Sequence, residues 1–184
     1  MVQFVVTAPI TSGIIIRNDD YAFTSDSDTV MGEAVNTIVG TITIHDIQYT
    51  EDSSGDSPFK DQVVTTEGIV TADFGDNIFI QDGAGAWNGI MLYKPSGTFS
   101  VGDHVQVMGE IIEYYGMTEF ASGNEVTVIS SDNSLPPYET VTTANANAEQ
   151  YESVLVRVEN VTVTPDACAR TVKLRLQQFQ NRAT

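Results

Sequence analysis

The side chains able to do chemistry are few and far apart. The chain holds two histidines, His45 and His104, each in a run that reads as a strand, and they stand at no spacing that makes a metal pair or an acid–base dyad. Cys168 is the single cysteine, so neither an internal disulfide nor a cysteine cluster for zinc can form. No nucleophile elbow, phosphate-cradling glycine loop or zinc signature occurs. The expectation is a chain that is not an enzyme by itself.

Two other groupings can bind rather than react. Asp19, Asp20, Asp26 and Asp28 supply hard oxygen ligands suited to calcium, and Glu51, Asp52 and Asp56 or Asp73 and Asp76 form smaller sets. None has the spacing of an EF-hand loop, and the commoner role of such aspartates is to make turns on a solvated surface. Among the aromatics, Trp87 and Tyr93 bracket one apolar run and Tyr114-Tyr115 end another, with Lys94 beside Tyr93. These five residues are the candidates for stacking on bases and meeting phosphate. Their commoner role is packing at the rim of a core. Phe79, which alternates with Ile78 and Ile80, and Phe120, among small residues, read as core.

Charge opposes a plain nucleic-acid role. The 184 residues carry 25 acids against 8 lysines and arginines, a net charge of -17. Residues 1–169 hold all 25 acids with only Arg17, Lys60, Lys94 and Arg157, so they stand at -21, while Arg170, Lys173, Arg175 and Arg182 put the rest at +4. Affinity for phosphate comes from Lys and Arg releasing counterions, and a body of this sign repels a backbone over a Debye length of about 8 Å. Divalent ions bridging carboxylate to phosphate are the way round it.

The elements that would position these groups are strands. Short runs rich in Val, Ile, Thr and aromatics (63–72, 77–81, 89–93, 104–115, 118–121 with 126–129, and 154–164) alternate with turn formers such as Asp73-Phe-Gly-Asp and Lys94-Pro-Ser-Gly. The one helical candidate is the Ala-rich stretch 144–152 after Pro136-Pro137. Before this block, apolar strands at 13–16 and 37–44 flank an acidic stretch. In the run from Val101 to Glu119, Val105, Val107 and Ile111 share one face, and Gly109 allows a bend that closes a curved sheet. The pattern predicts an all-β chain, an OB-like five-stranded Greek-key barrel with an N-terminal β arm and at most one or two short helices. The division is 1–57 for arm and acidic loop, 58–164 for the barrel and its last strand, and 165–184 for a basic tail. That tail reads as a terminal strand against the acidic body or as sequence foreign to the domain.

Four stretches, Val64-Thr-Thr-Glu-Gly-Ile-Val-Thr-Ala, Asn77-Ile-Phe-Ile-Gln-Asp, Trp87-Asn-Gly-Ile-Met-Leu-Tyr and the run Val101–Glu119, follow one another in an order that resembles the OB-fold domain accompanying secreted bacterial nucleases of the endonuclease/exonuclease/phosphatase type. The likeness continues through Leu135-Pro-Pro and residues 149–156 to about residue 164. It implies a noncatalytic accessory module at the cell surface or outside the cell. The metal-dependent catalytic domain of such nucleases would be separate. Single-stranded nucleic acid, held weakly or through divalent metal, is then the expected ligand, though the charge disfavours it. The rival expectation is an acidic surface module for protein, carbohydrate or calcium contacts. No apolar run approaches the ~20 residues of a membrane helix, and the opening Met1-Val-Gln-Phe-Val-Val lacks the basic start of a signal peptide.

Overall fold

The first strands form two antiparallel pairs, β1 (Ile14–Asn18) with β4 (Val35–Val39) and, between them, β2 (Ala22–Thr24) with β3 (Thr29–Met31). The computed structural model describes these four strands by backbone and residues 40–160 in full. β4 stops earlier than the β-branched run 37–44 predicts. Gly40 turns the chain at φ 87°, and Ile44 opens a helix instead.

That helix, α1 (Ile44–Gln48), starts where the Thr43 hydroxyl accepts the Asp46 N–H at 3.0 Å. His45 therefore sits on a helix, not a strand. Ile44 and Ile47 are wholly buried in the barrel core, and Ile42 hooks the chain to the next strand: its N–H donates to Thr65 O at 2.8 Å and its carbonyl accepts the Thr66 hydroxyl at 2.7 Å. Residues 42–48, grouped with the arm by sequence, thus pack as part of the barrel.

Five strands close that barrel: β5 (Val63–Asp73), β6 (Asn77–Gln81), β7 (Gly89–Tyr93), β8 (His104–Glu113) and β9 (Thr118–Phe120). Around the wall they run β5-β6-β7-β9-β8 and back to β5. Every pairing is antiparallel except β7 with β9, so the barrel is mixed, and its fold is all-β and OB-like. A sixth strand, β10 (Glu125–Ser130), pairs with the first half of β8. β8 serves both neighbours on one edge, giving 104–108 to β10 and 111–113 to β9. Gly109 stands at the handover, where a Cβ would lie 2.9 Å from Asn124 Cβ and 3.1 Å from Phe120 Cδ1.

The interior follows from alternation. Val64 and Val70 of β5, Ile78 and Ile80 of β6, Ile90 and Leu92 of β7, and Val105, Val107 and Ile111 of β8 point inward with Phe120. Each such side chain contributes about 1.5–3 kcal/mol by leaving water. Phe99, from the β7–β8 connection, enters the same core.

After β10 the chain crosses the outside of the barrel. The predicted helix at 144–152 is instead two separate 3-10 turns, Asn145–Asn147 and Glu149–Tyr151. They lie between β11 (Glu139–Thr140) and β12 (Val156–Arg157), which pair in parallel. Of the predicted strand 154–164, residues 154–160 are described, and β12 is the part of them that is strand.

Candidate functional site

OB barrels take single strands on the outer face of their second and third strands, which here are β6 and β7. With Ile78, Ile80, Ile90 and Leu92 turned inward, that outer face belongs to Asn77, Phe79 and Gln81 of β6 and Gly89, Met91 and Tyr93 of β7. Phe79, Gln81 and Met91 are all buried. They are outside the barrel and still shielded from water, because residues 150–157 lie across the face as a strap.

The strap is fastened by named contacts. The Trp87 N–H donates to the Gln150 carbonyl at 2.7 Å, and Gln81 Oε1 accepts the Leu155 N–H at 2.6 Å while its Nε2 donates to Gly83 O at 3.0 Å. The strap's own apolar residues, Tyr151, Val154 and Val156, form a second small core with Ala146, against which Ala86 packs. Tyr151 donates its hydroxyl to Glu139 Oε1 at 2.8 Å. Arg157 donates to Tyr138 Oη at 2.9 Å and lies 5.5 Å from that ring's centre, which ties the strap's last residue to the chain just before β11.

The five stacking candidates do not converge. Trp87 is half-buried at φ 68°, with its ring edge-on to Tyr49 at 5.7 Å. Tyr93 ends β7 with Lys94 Nζ 5.1 Å over its ring, and Lys94 also lies 3.9 Å from Asp76. Tyr114 and Tyr115 are 58% and 78% exposed, with rings 4.6 Å apart at the β8–β9 turn. Because β7 and β9 run parallel, Trp87 and this turn lie at one end of the barrel and Tyr93 with Lys94 at the other. The strap lies between the two ends. Sequence reasoning missed it, although Gly89 and Gln81 inside otherwise apolar strands were a signal: a strand glycine often marks another backbone approaching closely.

Asp19, Asp20, Asp26 and Asp28 lie outside the described residues. Among the described residues no three His, Cys, Asp or Glu side chains gather as a metal site would require, and no helix is long and apolar enough to cross a membrane. His104 Nε2 sits 3.4 Å from Glu67 Oε2 on the outer face of the sheet, and His45 stacks on Tyr49 at 5.4 Å. Among the described residues two carboxyls are raised above their ordinary range. Burial, then the neighbouring Glu113, raises Glu119 to about 7. Burial also raises Asp82, against the pull of the Ile44 N–H that it accepts at 2.7 Å.

Beside the strap is a cavity of about 100 Å³ lined by Thr71–Phe74, Phe79, Val101 and Ser153–Leu155. Phe74, 58% exposed, stands edge-on to Phe79 at 6.3 Å. No protein-family model and no curated protein matches the chain. By fold it is an OB-like mixed barrel whose outer β6–β7 face is covered by its own chain.

Proposed function

We propose that this chain is a noncatalytic OB-fold accessory module of the kind that accompanies secreted nucleases, and that it works by contact with protein, foremost a nuclease catalytic domain. The observation that carries this reading is the strap. A single strand cannot stack on Phe79 or reach Gln81 while residues 150–157 occupy that face. Its acidity points the same way, since the 60–130 segment holds ten acids and only Lys60 and Lys94. Nuclease association and export rest on the sequence resemblance.

One observation favours a second reading. Tyr114 and Tyr115 are open to solvent at the β8–β9 turn, and loops of this kind join the binding surface in other OB barrels. Weak, metal-assisted binding of single-stranded nucleic acid would use them. Fluorescence polarisation of a labelled oligothymidylate at low salt, with and without magnesium or calcium, separates the two. Flat titrations support the protein-contact module. Salt-sensitive binding that Tyr114→Ala or Trp87→Ala weakens by about 1–3 kcal/mol would replace it with the nucleic-acid reading.

A further inference from the structure

The occupant of the β6–β7 face is peptide, and the contacts that hold it read a backbone. Gln81 Oε1 takes a strap N–H, the Trp87 N–H gives to a strap carbonyl, and Gly89 leaves room for the carbonyl of Ser153. None of the three depends on which side chains the strap carries. Its fit is nevertheless imperfect. Ser153 is forced to φ 56°, the region that favours glycine, and its hydroxyl is buried with no hydrogen-bond partner. The cavity beside it, next to Phe74, Phe79 and Val101, leaves part of the groove empty.

We propose that this face is a peptide-binding groove filled in cis, and that a segment of a partner protein that makes the same turn, with glycine at the place of Ser153, displaces the strap and takes its position. Main-chain hydrogen bonds of this kind hold a peptide whatever its sequence, and packing of its side chains supplies selectivity. Here that packing is the cluster of Tyr151, Val154 and Val156 with Ala146, against Ala86 and Val141. The inference deepens the protein-contact reading above and takes from it the class of partner.

The test uses the full chain and a fluorescein-labelled peptide of residues 148–158. Leu155→Pro removes the N–H that Gln81 accepts, and Tyr151→Ala removes the largest side chain of the strap's cluster; either alone loosens the strap. Both variants are expected to bind the peptide about tenfold or more tighter than the unaltered chain, which must first release its own strap. A peptide carrying Ser153→Gly is expected to bind about tenfold tighter again, since it has no strained residue to hold. Absence of peptide binding at about 1 mM, in a variant whose circular dichroism shows an intact barrel, overturns the groove. That result overturns the groove alone; the protein-contact reading falls with salt-sensitive oligothymidylate binding. Oligothymidylate binding to the loosened variants, with no peptide binding, overturns both readings.

Discussion

The carbonyl oxygen of Ser153 stands where a side chain on residue 89 would begin: a Cβ built on Gly89 would lie 2.2 Å from that oxygen and 2.8 Å from the Val154 nitrogen. No van der Waals contact is that short, so glycine at 89 is what lets the strap lie flat on β7. Gly89→Ala is expected to lift the strap and destabilise the chain by about 2–4 kcal/mol. Urea denaturation gives the loss, and faster amide exchange at Leu155 and Trp87 locates it. Unchanged exchange at both would show that the strap is held elsewhere.

The helix at 44–48 should behave as part of the barrel and not of the arm before it. Ile44→Ala is expected to cost about 2–5 kcal/mol through the cavity it leaves. A chain beginning at residue 58, which lacks Ile42, Ile44 and Ile47, should lose the near-ultraviolet dichroism of a packed core. A fully folded 58–184 chain would refute the assignment of these residues to the core.

Glu119 makes stability depend on pH. The residue is 3% exposed, and its carboxyl, ordinarily near 4.5, is raised to about 7. Between those values the folded chain holds a proton that the unfolded chain has released, so stability falls as pH rises through that window and levels off above it. The fall is about 3–4 kcal/mol at roughly 1.4 kcal/mol per pH unit. Glu119→Gln should abolish that part of the slope. Denaturant midpoints between pH 4.5 and 8 in the two chains decide it, and parallel curves would count against the assignment.

Metal removal should leave the barrel unchanged, since its described residues gather no three ligands. Melting in chelator and in millimolar calcium is expected to coincide. A rise of several degrees with calcium would place a site in the acidic arm around Asp19, Asp20, Asp26 and Asp28, because an ion that binds only the folded state raises its stability.

How much of this was legible in the sequence depended on range. Val105, Val107 and Ile111 alternate within a few residues, so β8 and its buried face could be read directly, and Gly109 announced the bend that the structure places at the β10-to-β9 handover. Phe79 was read as buried, and it is, yet under the strap and not inside the barrel. The start of α1 was hidden because Thr37 to Ile44 is, but for Gly40, a run of β-favouring residues, and the Thr43 cap is itself one of them. The strap was illegible for a different reason. Its fastening joins Gln81 to Leu155, 74 residues apart, and backbone atoms carry most of the contact, so no periodicity of side chains records it.

The parallel pairing of β7 with β9 also dictates when the barrel can come into being. Met91 and Leu92 find Glu119 and Phe120 only after β8 has been made and turned back. A nascent chain that has not yet presented Thr118 exposes the whole free edge of Gly89–Tyr93, an apolar strand of the sort that seeks another strand. Closure is therefore a late, long-range event. The vulnerable moment in this protein's synthesis is the interval in which β7 waits for its second neighbour.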